Sequence, residues 1–412
     1  MKKVDIIFEE ELSLYLVEEF EKKIYYLSED ITSFERILDE GKIIGASLCV
    51  ADDTCGEKIK ERAQYIIKNE VVGLKNVKCN RFWNNEKAVQ YKYDNIIEEL
   101  QKNELIFIPS DGQVALKEPL VSLFDFFDNV FKNMSVKIFH CENYRFPTLL
   151  RLDVLRKVGY FESFPNLLMF TTRLRNAVEN FEAFKDSFTQ ETEEEEIVDE
   201  LKDYCCNTEF GLPPTMCYYV YDMLSGKEIK HTGITACGKS FRYENKYYKP
   251  FERLWDFTIR ETVFIGEYDY VKNNVIGYKK MATKFMELLN LAGFCETAND
   301  PFFLVDNAVK RINTQKMVGS KYELRLNLNQ DKTTAVGSFN LHGHFLAKRF
   351  DLFSNKEKKE HCYTGCIGIG IERMMFAFLS QYGIEQENWP DIVKDGIKNP
   401  LTIKELVEKI AE

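Results

Sequence analysis

The chain has 412 residues, 45% of them hydrophobic, which is enough for a large catalytic domain and a smaller one. Its formal net charge of −11 argues against a broad electrostatic grip on a phosphate backbone, so generic nucleic-acid binding is not expected. The sequence starts without the apolar core of a signal peptide, and no stretch reaches the roughly 20 apolar residues of a membrane span. We therefore expect a cytoplasmic, enzyme-sized protein with no membrane partner.

The first part of the chain predicts a small α/β module. Residues 9–27 and 56–69 have helical patterns, and residues 43–51 have a strand pattern. Turn-forming Pro, Ser, Asp and Gly follow one another at 109–112 and predict a boundary there. We assign residues 1–111 to an N-terminal α/β module of unknown role and residues 112–412 to a catalytic domain.

The second part predicts an α+β fold. Residues 120–131 and 149–158 have the pattern of apolar helices, whereas the acidic tract at 189–196 is expected on a solvated surface. Runs such as 321–328 and 334–339 alternate sides, which is typical of antiparallel strands with one covered face. We predict a mixed, largely antiparallel sheet flanked by helices.

The first element that carries chemistry is the tetrapeptide Phe-Arg-Tyr-Glu at 241–244. Activation of a carboxylate by ATP passes through a crowded, negatively charged α-phosphorus, which a fixed arginine stabilises. Arg242 suits this role. Glu244 lies two residues further along the predicted strand and can accept hydrogen bonds from the adenine amino group. Taken alone, the tetrapeptide has an alternative interpretation as a minor surface ion pair.

The second element is a glycine alternation at 365–370 that leads into a helical run through Glu372 and Arg373. Alternating glycines let the backbone pack close to a planar group, and Arg373 would reach the γ-phosphate from the helix start. The dinucleotide-binding fingerprint is excluded, because its third glycine is missing and no short βαβ unit with a downstream acid follows. A glycine-rich strand-to-helix junction that binds nothing is the alternative.

Together and in this order, the two elements resemble motifs 2 and 3 of class II aminoacyl-tRNA synthetases, and Pro147 stands where the motif 1 proline would. Within that group, residues 112–397 resemble the amino acid:[carrier protein] ligases, which are related to the zinc-dependent seryl-tRNA synthetases of methanogens. The stretches that carry this resemblance beyond the class motifs are residues 159–168, 300–303, 338–340 and 364–366.

The resemblance implies a ligase with Arg242 and Arg373 as catalytic residues. Such an enzyme activates a small amino acid, glycine or alanine, with ATP and Mg²⁺. It then passes the aminoacyl group to the phosphopantetheine thiol of a carrier protein, charges no tRNA and forms a homodimer. Two alternatives stay open: a seryl-type enzyme that uses residues 1–111 to hold tRNA, and a catalytically silent synthetase-like regulatory or binding protein. Net acidity and the lack of a long helical arm argue against the first, and the intact Arg242, Glu244 and Arg373 argue against the second.

The resemblance also implies further contacts to ATP. Matching the family residue by residue adds these positions to Arg242, Glu244 and Arg373: Arg253, Leu254, Lys321, Ala335, Val336, Gly337 and Ser338. For Lys321 the alternative is a solvated lysine on an edge strand.

A zinc ion held by Cys217, Glu261 and Cys366 is a further implication of the resemblance. Three protein ligands leave the fourth zinc position open, and the amino group of the substrate would fill it. Glu261 is therefore also the predicted substrate-binding residue. Two other cysteine arrangements stay open, namely His361 and Cys362 with Cys366, and Cys237 just upstream of the tetrapeptide. Most of the 11 cysteines are expected to be small buried residues without a metal.

Overall fold

The computed structural model describes residues 1–52, 54–74, 79–85, 95–189, 192–245, 248–300, 308–330 and 332–411. None of the described helices combines the length and apolar character needed to cross a lipid bilayer.

The N-terminal region forms a three-stranded antiparallel sheet in the order β1-β3-β2, covered by two helices. The helix predicted at 9–27 is shorter than expected. The strand predicted at 43–51 is found as β3, and the helix predicted at 56–69 is found as α2. The elements are β1 (Lys2–Ile7), α1 (Leu14–Glu21), β2 (Ile31–Asp39), β3 (Lys42–Val50) and α2 (Gly56–Ile66). Their apolar side chains form a core of their own that includes Val17, Phe20 and Leu48.

The middle of the chain supplies short strands and helices around one long helix. The helix predicted at 120–131 is confirmed as α4, but the one at 149–158 begins only after a short strand. The elements are β4 (Arg81–Asn85), α3 (Ile96–Lys102), β5 (Ile106–Phe107), β6 (Ala115–Leu116), α4 (Leu120–Asn133), β7 (Glu142–Tyr144), β8 (Leu150–Arg151), α5 (Leu152–Lys157), α6 (Tyr160–Ser163), β9 (Phe170–Leu174), α7 (Val178–Ser187), α8 (Glu194–Tyr204), β10 (Cys205–Gly211) and α9 (Cys217–Met223). Part of the acidic tract, residues 190 and 191, lies outside the described residues.

The remainder of the chain supplies the long strands. Both predicted strands, at 321–328 and 334–339, are confirmed as β14 and β15. The elements are β11 (His231–Phe241), β12 (Asp256–Gly266), α10 (Tyr268–Leu288), β13 (Gly293–Thr297), α11 (Ala308–Val318), β14 (Lys321–Asn327), β15 (Thr333–Gly343), α12 (Phe345–Arg349), β16 (Phe353–Asn355), β17 (Glu360–His361), β18 (Tyr363–Gly370), α13 (Ile371–Tyr382), α14 (Asp391–Lys398) and α15 (Pro400–Ala411).

The main sheet has eight strands in the order β4-β13-β14-β15-β18-β12-β11-β7. All neighbours are antiparallel except β11 and β7, which are parallel. Helices α4, α10 and α13 pack on this sheet. The predicted α+β fold, with a largely antiparallel sheet flanked by helices, is confirmed.

The two faces of the main sheet carry different apolar clusters, because successive side chains of a strand point to opposite faces. Ile367 and Ile369 of β18 belong to the large core that includes residues of α4, α10 and α13. Cys366, which directly precedes Ile367, belongs to a second cluster that includes residues of α5, α9 and α12. The second face is the one on which the predicted metal ligands meet.

Residues ahead of the predicted boundary also contribute to the main sheet. Strand β4 pairs antiparallel with β13 at its edge, and Ile96, Leu100 and Ile106 are buried in the large core. The domain division at residue 111 stays a prediction.

Candidate active site

Arg242 is the first residue beyond β11 and is held in place by three contacts. Its backbone N–H donates to the carbonyl oxygen of Trp255 at 3.0 Å, and its Nε donates to the carbonyl oxygen of Pro214 at 3.2 Å. Its guanidinium carbon lies 5.3 Å from the centre of the Phe257 ring. A guanidinium fixed in this way is preorganised for an anionic group, since little freedom remains to be lost on binding.

Glu244 and Arg253, both predicted to contact ATP, form an ion pair. Nη1 of Arg253 donates to Oε2 of Glu244 at 2.9 Å. Between them in sequence, the buried Phe251 stacks on Phe376 of α13, with ring centres 5.2 Å apart and planes at 8°. The loop after β11 is thereby anchored on the helix that follows β18, so the two sequence elements that are predicted to bind ATP are joined directly.

Arg373 lies near the start of α13 and reaches back to this loop. Its Nε donates to the carbonyl oxygen of Glu252 at 2.8 Å, and its Nη1 to that of Ala335 at 3.2 Å. Burial lowers the pKa of Arg373 to about 10, and the charges of Arg253 and Arg242 act in the same direction. Three cationic side chains therefore converge here, an arrangement suited to a polyphosphate.

Lys321 lies on β14, which lies between β13 and β15, and only 12% of its side chain is exposed, so it is not a solvated lysine on an edge strand. Its Nζ donates to Oδ1 of Asp300 at 2.7 Å and lies 3.7 Å from Oε1 of Glu323. Burial disfavours the charge, but the two carboxylates outweigh burial and raise the pKa of Lys321. The predicted stretch at 301–303, next to Asp300, lies outside the described residues.

The predicted ATP-binding segment of β15 does not present all its side chains to one side. Val336 is buried in the large core, and a Cβ on Gly337 would lie 2.7 Å from Cδ1 of Ile369. Oγ of Ser338 accepts a hydrogen bond from Nδ2 of Asn340 at 3.2 Å. Ala335 contributes its backbone, since its carbonyl oxygen holds Arg373. Leu254 is buried beside Arg253 in the loop after β11.

The three predicted metal ligands are brought together from α9, β12 and β18. Cys217, Glu261 and Cys366 are each buried, with 4–6% of their surface exposed. The Glu261 carboxylate accepts hydrogen bonds from the Thr215 hydroxyl and from the backbone N–H of Cys217. The Cys217 thiol forms a hydrogen bond with the Cys366 sulfur. We call these three residues the thiol–carboxylate cluster.

The cluster gathers groups that would all be negative when ionised. The hydrogen bond from Cys217 is the largest reason why the pKa of Cys366 lies well below its usual range, and the same bond raises the pKa of Cys217 well above its own. Burial, followed by the charge of Cys366, raises the pKa of Glu261 to about 7. A cation placed among these groups would remove this electrostatic cost.

The donor chemistry of the cluster fits zinc, but the structure does not show a metal site. Two thiols and a carboxylate are ligands that zinc takes, and three protein ligands are typical of zinc sites with an open position. Over the residues described, no group of three or more His, Cys, Asp or Glu side chains is arranged to hold a metal ion. Zinc binding is therefore treated below as a proposal.

The two alternative cysteine arrangements have other surroundings. Cys237 pairs across from Arg260 on β12, whereas Glu261 pairs with Ala236, so Cys237 points to the opposite face of the sheet. The Cys362 thiol donates to the carbonyl oxygen of Ile229 at 3.4 Å. His361 packs on Phe353, with ring centres 4.8 Å apart.

Sequence reasoning missed three residues around the cluster: Thr215, Asn340 and His342. Nε2 of His342 lies 3.6 Å from Sγ of Cys366, and Nδ1 lies 3.3 Å from Oγ1 of Thr364. Nδ2 of Asn340 lies 3.5 Å from Sγ of Cys366. The strand period of two, counted on from Ser338 to Asn340 and His342, is the signal that could have found the last two.

Arg242 links the cluster to the nucleotide side. Its charge acts to lower the pKa of Glu261 and also those of Lys321 and Arg373. One guanidinium is therefore within electrostatic reach of a buried carboxylate on one side and of the cationic phosphate-binding candidates on the other.

Comparisons with known proteins show which family of proteins the chain is similar to. Residues 196–382 match the family model of the tRNA synthetase class II core domain (G, H, P, S and T). The chain is 26% identical over 320 residues to the type-2 serine–tRNA ligase of Methanococcus aeolicus, with 76% of this chain and 60% of the relative covered. It is 28% identical over 309 residues to the type-2 serine–tRNA ligase of Methanothermobacter thermautotrophicus, with 72% and 58% covered.

The fold is shared with a solved structure of M. kandleri SerRS in complex with A. aeolicus tRNASec. The TM-score is 0.69 at 18% sequence identity, and the match covers 96% of this chain and 77% of that chain. At this identity the likeness shows the fold alone. The matched stretch spans about three fifths of the length of the two curated relatives.

These comparisons correct the predicted acceptor. The relatives are named as serine–tRNA ligases, and the solved structure contains tRNA. The prediction of a carrier-protein ligase, with a phosphopantetheinylated carrier protein as partner and without tRNA, is wrong. The seryl-type alternative agrees better. The carrier-protein acceptor came from the family resemblance. The net charge of −11 was weighed against tRNA, but it is a sum over the whole chain and does not describe any local surface.

Proposed function

The chain carries a class II aminoacyl-tRNA synthetase core domain homologous to that of type-2 serine–tRNA ligases, and on this premise we propose that it activates serine with ATP and transfers it to tRNA. The observation that carries this proposal is the place of Arg242. Its Nε donates to the carbonyl oxygen of Pro214, next to the Thr215 whose hydroxyl donates to Glu261, and its charge also reaches Lys321 and Arg373. ATP and Mg²⁺ are consistent with a class II synthetase core.

We assign the nucleotide side the roles expected from the sequence. Arg242 stabilises negative charge at the α-phosphate while the serine carboxylate attacks, and Arg373 binds the γ-phosphate. Glu244, fixed by Arg253, accepts a hydrogen bond from the adenine amino group with the carboxylate lone pairs that the ion pair does not use. Leu254, Lys321 and the segment from Ala335 to Ser338 complete the pocket. The fixed donors of Arg242 and Arg373 support this assignment.

On the amino acid side, Cys217, Glu261 and Cys366 would hold a zinc ion. Zinc in this place would supply a Lewis-acid contact to the amino group, which selects amino acids over other carboxylic acids. The proposal is supported by the burial of all three donors and by the raised pKa of Glu261. The positions of Thr215 and of the Cys217 N–H orient the Glu261 carboxylate.

The first step is tested by ATP–pyrophosphate exchange with serine, and with glycine, alanine and threonine as competitors. Serine should give the highest kcat/KM, and purified protein that shows no amino-acid-dependent exchange would refute adenylate formation. Exchange with glycine or alanine in preference to serine would overturn the choice of substrate.

The second step is tested by charging total tRNA, isolated from the organism that makes this protein, with labelled serine. We expect acid-precipitable seryl-tRNA that is discharged by mild alkali. Exchange that proceeds while no tRNA is charged would leave serine activation standing and overturn the acceptor.

A further inference from the structure

His342 occupies a break in the pairing of β15 with β18. Leu341 pairs with Gly365 and Gly343 pairs with Thr364, so that His342 is an extra residue between them. Such a β-bulge adds a residue without a partner to one strand of the ladder, and bulges are frequent next to active sites. The bulge lies directly beside Cys366, which pairs with Asn340 in the same ladder.

Both ring nitrogens of His342 face a partner on β18. Nδ1 lies 3.3 Å from the Thr364 hydroxyl, and Nε2 lies 3.6 Å from the Cys366 sulfur. The residue on the other side of the bulge, His344, directs its Nδ1 to the carbonyl oxygen of Cys362 at 2.9 Å instead. When the Thr364 hydroxyl donates to Nδ1, the ring proton is left on Nε2 and points at the sulfur.

We propose that His342 is a positioning residue that orients the Cys366 sulfur through an Nε2–H hydrogen bond, so that the thiol–carboxylate cluster can bind zinc. This inference rests on the zinc site of the proposed function. A metal ligand that is held by a second hydrogen-bonding residue loses less freedom on metal binding, and the loss of such outer partners typically lowers metal affinity 10–100-fold. In this role His342 donates to a ligand and is not itself a ligand.

Zinc affinity of His342→Ala, measured by chelator competition without ATP, serine or tRNA, tests the proposal. We expect a loss of about 10–100-fold relative to the wild type. His342→Gln, whose amide N–H can replace the Nε2–H donor, should recover most of the affinity. His344→Ala is the matched control, because it removes a neighbouring histidine with no contact to Cys366, and it should leave the affinity unchanged.

Cobalt substitution separates a positioning role from a merely structural one. With Co²⁺ in place of zinc, His342→Ala should shift the thiolate-to-cobalt charge-transfer band while both thiolates stay bound. Loss of an imidazole ligand, seen as a change of coordination that His342→Gln does not reverse, would overturn the positioning role. Unchanged zinc affinity in His342→Ala would overturn it as well.

A second variant keeps the test decisive if His342→Ala does not fold. Thr364→Val keeps the shape of the side chain and removes only the hydroxyl that faces Nδ1, so we expect a smaller loss of zinc affinity in the same direction. An affinity equal to that of the wild type contradicts the proposal. The proposed function fails separately: a wild type that binds zinc but does not activate serine refutes the function alone, and a wild type that binds no zinc refutes this inference.

Discussion

Arg260 and Glu261 are neighbours on β12, and both are buried, with 3% and 4% of their surface exposed. They point to opposite faces of the main sheet, where Arg260 has an ion-pair partner of opposite charge and Glu261 has none among the residues that the structure describes. Arg260 donates two hydrogen bonds to Asp128 of α4, at 2.8 and 2.7 Å, and a third to Asn143 at 3.2 Å. Glu261 receives hydrogen bonds from a hydroxyl and a backbone amide and has two thiols beside it.

The difference separates a buried charge that is compensated within the protein from one that is not. A buried charge is costly unless it is paired and hydrogen-bonded, and the Arg260–Asp128 pair meets that condition within the protein. Glu261 does not, and its pKa is raised to about 7 as a result. Strongly perturbed carboxylates concentrate at functional sites because a substrate or metal completes them.

Asp128→Ala should have the largest effect on folding, because it leaves Arg260 buried and unpaired. We expect the free energy of unfolding to fall by about 3–5 kcal/mol. Urea unfolding in the presence of a chelator measures it. Glu261→Gln, the matched change on the other face, should cost less under the same conditions, since it removes a charge that lacks a cation. Equal costs for the two variants would contradict the comparison.

Cys366→Ala should have the next largest effect, and on function instead of folding. Loss of one of three proposed ligands should lower zinc affinity by more than about 100-fold, which exceeds the range for outer-shell changes. Metal analysis of the purified protein and serine-dependent exchange measure the two consequences. Cys237→Ala removes a half-buried thiol from the opposite face and should keep both zinc and exchange; a variant Cys366→Ala with full zinc content would refute the metal site.

The contrast between the two faces also shows what the sequence could predict. Arg242, Glu244 and Arg373 were predicted from two motifs in sequence order. The structure joins the two motifs through Phe251 and Phe376, although Arg242 and Glu244 lie beyond the end of β11 and not on the predicted strand. The α+β fold followed from alternation in β14 and β15. The proximity of Cys217, Glu261 and Cys366 depends on the register of β12 with β18, which no local pattern encodes, and only the family resemblance suggested it.

Two kinds of feature lay beyond the sequence. The period of two places His342 on the same face as Asn340, but no local pattern shows that the pairing of β15 with β18 breaks at this residue. The pairing of Arg260 with Asp128 joins residues far apart in the chain, so no local sequence pattern could reveal which buried charge is compensated. The acceptor was mispredicted because the family resemblance was taken to name it, and the net charge, which was weighed against tRNA, does not report the surface that binds an acceptor.

Asp300→Asn removes the charge of a partly exposed carboxylate that is paired with Lys321. The ammonium of Lys321 holds the pKa of Asp300 below its usual range in spite of burial. Its stabilising contribution is therefore present above the unfolded-state pKa of about 4 and is lost as the pH falls through the lower folded-state pKa. Because the Asp300 side chain is 36% exposed, we expect no more than about 1 kcal/mol.

Urea unfolding of the wild type and Asp300→Asn at a series of pH values measures this contribution. The difference between the two proteins should be constant from pH 7 to 5 and should shrink only below about pH 4. A difference that already changes between pH 7 and 5 would show that another group carries the effect.

Glu21→Ala should have the smallest effect and isolates burial as the cause of the first prediction. Arg36 donates to Glu21 through Nε and Nη2 at 2.6 and 2.9 Å, the same two-pronged geometry as Arg260 with Asp128, but the Arg36 side chain is 40% exposed. Water solvates Arg36 when its partner is removed, so we expect a loss of only about 0.2–1 kcal/mol. The loss should become smaller as NaCl is raised, because salt screens exposed charges, whereas the loss in Asp128→Ala should hardly change. If Glu21→Ala costs as much as Asp128→Ala, hydrogen-bond geometry and not burial decides the stability of these pairs, and the distinction between the two faces of β12 loses its basis.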